Sequence, residues 1–153
     1  MKILTMKFCF SFLFLLSTLI SFSQKKELPV KIIEATQQTW VSGAPGGKTG
    51  TKYSIKVYIN TKRKTEFKNI WIGKMNVLFD VEFFSLDIQK KIEYGDSLLI
   101  TYNKIYGVEN ENAETKRLPL NYKGAALMEV AIDGKARYFI VKNFKQVASL
   151  GGQ

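Results

Sequence analysis

Ala125-Ala126-Leu127-Met128-Glu129-Val130-Ala131-Ile132-Asp133-Gly134-Lys135-Ala136-Arg137-Tyr138-Phe139-Ile140-Val141-Lys142 is two β-rich runs joined by Asp-Gly. An Asp-Gly pair at such a junction supplies the positive φ angles that a two-residue hairpin turn requires. With that turn, Ile132 opposes Lys135, Val130 opposes Arg137, Met128 opposes Phe139 and Ala126 opposes Val141. Side chains alternate between the faces of a strand, so Met128, Phe139, Ala126 and Val141 share the buried face. Glu129 opposite Tyr138 and Leu127 opposite Ile140 make the other face only partly polar, and it is expected to be partly covered.

The same period of two recurs upstream. Tyr53, Ile55, Val57 and Ile59 alternate with Lys52, Ser54, Lys56 and Tyr58, and Met75, Val77, Phe79, Val81 and Phe83 alternate with Asn76, Leu78, Asp80 and Glu82. Each stretch predicts a strand with one apolar and one wet face. Val30 to Gln37, Phe67 to Ile72 and Ser97 to Lys104 are further strand candidates, joined by polar or glycine-rich connections at Ser42 to Thr51, Thr61 to Thr65 and Gly107 to Arg117. No long segment carries an apolar stripe at helical spacing. The expected fold is all-β, an antiparallel β-sandwich (Ig-like) or small barrel of about six to eight strands, with the sandwich favoured.

Ahead of this domain, Lys2 and Lys7 precede the apolar run Phe8 to Ile20, and Ser21-Phe22-Ser23-Gln24 follows it. A basic start, an apolar middle and a small-x-small ending are the three parts of an export signal. The run is shorter than the roughly 20 apolar residues of a membrane span, and Lys25-Lys26 stop it. Residues 1–23 are therefore read as a signal peptide cleaved after Ser23, and 24–153 as one domain with no transmembrane segment, periplasmic or extracellular. The only cysteine, Cys9, lies within the leader, and the chain has no histidine. Disulfides and thiolate or imidazole metal ligands are thus excluded from the mature domain, whose stability must come from packing. No cofactor or metal is expected.

Without histidine, the usual base of nucleophilic catalysis is missing. Asp80 and Glu82, two apart on a strand, face the same way at about 6.6 Å by strand rise. That lies within the roughly 5 to 9.5 Å of glycosidase carboxylate pairs. The same alternation is what any solvated strand shows. Ser42-Gly43-Ala44-Pro45-Gly46-Gly47-Lys48-Thr49 approaches a phosphate-binding loop but has Ser42 where the motif needs glycine, and a strand follows instead of a helix. It is read as a loop whose Gly43, Gly46, Gly47 and Gly50 form a lip beside Trp40. Glu109-Asn110-Glu111-Asn112-Ala113-Glu114 gathers oxygen ligands but lacks the order of calcium loops and is read as solvated.

The net charge of +10 points to solubility or to an anionic partner rather than to a specific nucleic-acid site. The Thr61-Lys62-Arg63-Lys64-Thr65 turn concentrates it, and Lys68, Lys74, Lys90-Lys91 and Lys116-Arg117 add to it. Trp40, Tyr53, Tyr58, Trp71 and Tyr138 are candidate sugar platforms, although Trp71 between Ile70 and Ile72 reads as core and Trp40 as the more exposed.

The leader ending Ser21-Phe22-Ser23-Gln24-Lys25-Lys26, the block Leu118-Pro119-Leu120-Asn121-Tyr122-Lys123-Gly124 and the hairpin closing on Tyr138-Phe139-Ile140-Val141-Lys142 resemble the short uncharacterised exported proteins of Bacteroidetes-type bacteria. That resemblance implies a periplasmic or secreted β domain and assigns no catalytic residue. The expected function is a non-enzymatic binding or structural module of the cell envelope. It would meet a protein or an anionic or glycan component through Trp40 and Lys62, Arg63 and Lys64. The alternatives are a hydrolase of an envelope polymer using Asp80 and Glu82, or an inhibitor or immunity-type protein. Expression with an intact export pathway should yield a chain beginning at Gln24, read by intact-mass spectrometry of the exported fraction; retention of Met1 there would refute the leader.

Overall fold

The computed structural model describes residues 27–43, 46–84, 91–107 and 116–151. The leader, residues 1–23, lies outside them. They form nine strands: β1 (Val30–Val41), β2 (Thr49–Ile59), β3 (Thr65–Ile72), β4 (Met75–Val77), β5 (Asp80–Phe83), β6 (Ser97–Ile105), β7 (Ala126–Ile132), β8 (Lys135–Val141) and β9 (Lys145–Gly151). Two sheets result, one ordered β5-β6-β2-β1-β9 and the other β4-β3-β7-β8. All neighbours are antiparallel except β1 and β9, which run parallel. Apart from β9, the orders β1-β2-β6-β5 and β4-β3-β7-β8 reproduce the A-B-E-D and C′-C-F-G sheets of immunoglobulin-like sandwiches. The expected sandwich is present, with one strand more than the expected range.

The hairpin forms in the register that its turn dictates: Ile132 pairs with Lys135, Met128 with Phe139 and Ala126 with Val141. Asp133 at φ 50° and Gly134 at φ 75° both occupy the left-handed region, as a type I′ turn demands. Ala126, Met128, Val130 and Ile132 consequently enter the core beside Phe139 and Val141. They meet Ile55, Val57 and Ile59 of β2, Leu98 and Ile100 of β6 and Val30 of β1. Val57, Ile59, Leu98, Met128 and Val130 are wholly buried; each such side chain contributes roughly 1.5 to 3 kcal/mol through removal from water.

Met75 to Phe83, expected to be a single strand, is two. β4 pairs with β3 in one sheet, and β5 pairs with β6 in the other, so the chain crosses between sheets at Leu78 and Phe79. Val77 is buried and Phe79, Val81 and Phe83 pack partly against the core, but Met75 is 50 % exposed. A period-two pattern persists across the crossover because both halves line the same interior from opposite walls. Sequence periodicity also gave no sign of β9, whose residues Lys145 to Ser149 are all exposed and so carry no apolar alternation.

Trp71 is buried as expected, yet not in the inter-sheet core. It pairs with Leu127, between the inward-facing Ile70 and Ile72, and so stands on the outer face of its sheet. There the Trp71 indole Nε1 donates to the Lys116 carbonyl at 3.1 Å, and the Tyr122 hydroxyl donates to the Trp71 and Gly73 carbonyls. The segment leading into β7 is thereby tied over Trp71 and Leu127, which is the cover predicted for that face.

Gly50 lies inside β2 and not in the glycine-rich loop, which ends at Lys48. A β-carbon there would overlap the Lys104 carbonyl oxygen of β6 and lie 2.6 Å from Trp40 Cζ2. Backbone of a paired strand cannot yield without breaking the ladder, so Gly50→Ala should lower stability by about 1 to 3 kcal/mol and shift the Trp40 emission. A thermal melt with tryptophan fluorescence checks both.

Candidate functional site

Two loops at one end of the sandwich build a basic cleft. The first, between β2 and β3, turns at Thr61, whose Oγ1 accepts from the Arg63 amide at 3.2 Å, while the Thr65 hydroxyl donates to the Arg63 carbonyl at 3.0 Å. Asp133 at the β7–β8 tip then grips it. The Asp133 amide donates to the Lys64 carbonyl at 2.9 Å, its Oδ1 accepts from the Lys64 amide at 3.2 Å, and its Oδ2 lies 3.7 Å from Arg63 Nε. The residue that shapes the hairpin turn therefore also positions the basic loop.

The second loop leads into β6. Gly95 adopts φ 91°, its amide donates to the Ile59 carbonyl at 2.9 Å, and the Ile59 amide donates to the Asp96 carbonyl at 2.9 Å. The Asp96 carboxylate accepts from the Glu93 amide at 2.8 Å. Both loops are thus anchored on the end of β2, which places Lys62, Arg63 and Lys64 opposite Lys91 and Tyr94 around a cleft of about 320 Å³. Among the described residues, Glu93 is the one acidic side chain lining it. A neighbouring cleft of about 400 Å³ shares Lys64, Lys91 and Ile92 and is backed by Phe67, Val81 and Phe83.

The cations differ in their partners. Lys64 bonds to Glu66 at 2.6 Å, and Lys68 reaches the same carboxylate. Hydrogen bonds and attraction from these two lysines pull the Glu66 carboxyl down to about 2, and Glu66 in turn raises Lys64. Among the described residues, Lys62 and Lys91 have no ion-pair partner.

Trp40, grouped with the basic turn on sequence grounds, lies at the far end of the same sheet. It pairs with Gly50 while the turn follows Ile59, so about 30 Å of β2 separates them by strand rise. Its half-buried ring rests on Gly50. Tyr53 faces inward, stacked on Tyr102 at 6.0 Å and edge-on to Phe144 at 5.1 Å, and burial raises its hydroxyl above the ordinary value. Tyr138 is 39 % exposed on the outer face of the hairpin.

Asp80 and Glu82 do share the outer face of β5, opposite Thr101 and Leu99, but both are exposed and neither lines either cleft. Thr49 opens a strand, so the Ser42 to Thr49 stretch is not a phosphate-binding loop ahead of a helix. The Glu109 to Glu114 loop lies outside the described residues. Among the described residues no three acidic side chains cluster as a metal site would require, and no helix is long and apolar enough to cross a membrane. Tyr94 escaped sequence reasoning. Its only local signal is the Tyr94-Gly95-Asp96 turn, and Lys91 joins the site only because β2 anchors both loops.

No protein family, no curated protein and no solved structure matches this chain. A check on the site's electrostatics follows from Glu66. Its folded value lies below the ordinary 4.5, so the Lys64–Glu66–Lys68 contact is fully present above 4.5 and is lost as pH falls through about 2. Carboxyl-detected NMR should place the Glu66 midpoint near 2, rising in Lys64→Ala and in high salt, which screens exposed pairs. A midpoint at 4.5 would deny the contact.

Proposed function

We propose that this chain is an exported, non-enzymatic binding module of the cell envelope, and that the cleft at Lys62, Arg63, Lys64, Lys91 and Tyr94 takes an acidic glycan. The observation that carries this reading is that, among the described residues, four cations and one exposed aromatic ring surround one cleft with a single carboxylate, and two of the cations have no ion-pair partner. Lys62 and Lys91 approach from separate loops, which suits anionic groups spaced along a chain better than one compact ion. Tyr94, 54 % exposed, offers a flat face for a sugar ring. Loops anchored by Asp133 and Asp96 hold the cations in place before binding, which lowers the ordering cost.

Support for a binding role over hydrolysis is positional. The paired carboxylates Asp80 and Glu82 are exposed on the edge strand β5 and line neither of the two clefts. The leader read from the sequence would deliver the module to the periplasm or beyond.

Isothermal titration with a uronic-acid oligosaccharide tests the proposal, with a neutral oligosaccharide of equal length as control. Lys62→Ala with Lys91→Ala should weaken binding about tenfold or more, Tyr94→Ala somewhat less, and affinity should fall steeply between low and physiological salt. Equal affinity for the neutral sugar, or binding untouched by the double substitution, would sink it.

A further inference from the structure

We propose that β8 is a strand-addition edge for an extended segment of another protein, apolar in its middle and acidic at both ends. Four strand edges close the two sheets, and three of them are blunted. β4 has 3 residues and β5 has 4, too few for a stable added strand. β9 carries a bulge where its pairing with β1 shifts between Gln38 and Trp40, a device that turns an edge away from new partners. β8 has 7 residues, pairs with β7 without a bulge, and contains no proline.

The turn decides which backbone groups of β8 remain open. In a two-residue hairpin the pair flanking the turn, Ile132 and Lys135, exchanges both hydrogen bonds, and alternate pairs then do the same. Arg137 and Phe139 therefore bond to β7. The N–H and C=O groups of Ala136, Tyr138 and Ile140 point away from it, toward the open edge. Tyr138 and Ile140 flank that edge at 39 % and 43 % exposure, while Phe139 and Val141 are buried on the core side. An added strand would lay its apolar residues beside Tyr138 and Ile140.

Charge selects the occupant. Lys135 and Arg137 stand at one end of β8, and Lys142 and Lys145 follow the other; none of the four has an ion-pair partner among the described residues. A second copy paired antiparallel about Tyr138 would set Lys135 of each copy opposite Val141 of the other and Arg137 opposite Phe139, and β8 carries no Asp or Glu to meet these cations. A segment ending in Asp or Glu on both sides meets opposite charge at each end.

The experiment uses the whole exported domain, isotope-labelled, and an acetylated and amidated peptide of alternating Val and Thr with two Glu at each end. The same peptide ending in Lys is the control. The acidic peptide should slow amide exchange at Ala136, Tyr138 and Ile140 about tenfold or more while Arg137 and Phe139 stay as they were. Tyr138→Pro removes the central open N–H and should cost about tenfold or more in affinity. Lys135→Glu with Arg137→Glu leaves the backbone alone and should shift preference toward the Lys-ended peptide, which keeps the test decisive should the proline variant misfold. Three results would overturn the proposal: perturbations confined to the Lys62 and Lys91 cleft, a charge-reversed variant with unchanged preference, or a protein that sediments as a dimer with those three amides already protected.

Discussion

A slip of one residue between β7 and β8 would turn either Met128 and Val130 or Phe139 and Val141 away from the core, because strand side chains alternate with a period of two. The Asp133–Gly134 turn prevents that slip. Both residues hold positive φ, and only one pairing of the flanking strands is compatible with that geometry. The register places Met128 and Val130, wholly buried, against β2 and β6 of the other sheet, and the inter-sheet core assembles on them. Asp133 carries a second duty, since its amide and carboxylate hold Lys64 and Arg63. Core and basic cleft therefore share one turn.

That sharing explains the polarity of the molecule. At the end where Asp133, Ile59 and Asp96 tie the loops down, the side chains released to solvent are lysines, arginine and Tyr94. At the other end of β2 the surface is aromatic and closed upon itself, with Trp40 on Gly50 and Tyr53 between Tyr102 and Phe144. The rings that looked available for a ligand in one dimension are mostly occupied in three. The outer face of the four-stranded sheet is likewise spent on Trp71 and Leu127 beneath the segment from Lys116 to Tyr122.

The basic cleft and the β8 edge are neighbours joined at the hairpin tip. Lys64 and Arg63 contact Asp133, and β8 leaves from Gly134. A partner lying along β8 would bring its acidic end toward the same group of cations. A protein and a glycan could each meet the module there through different chemistry, one through backbone hydrogen bonds and the other through side-chain charge.

Sequence alone determined the strand character of β2, β3, β6, β7 and β8, the register of the last pair, and the absence of histidine and of any cysteine besides Cys9. These follow from local facts: period-two alternation, the φ preference of Asp-Gly, and residue counts. Local pattern could not show that Met75 to Phe83 bends from one sheet into the other, because both halves face one interior. Nor could it reveal β9, whose exposed side chains leave no apolar signature although its backbone bonds to β1. The meeting of Lys91 and Tyr94 with Lys62 to Lys64, and the distance of Trp40 from them, were decided only by the tertiary structure. Long-range proximity depends on which strand ends anchor which loops, and here a single strand, β2, anchors both loops at Ile59 and carries Trp40's neighbour Gly50 at the other end.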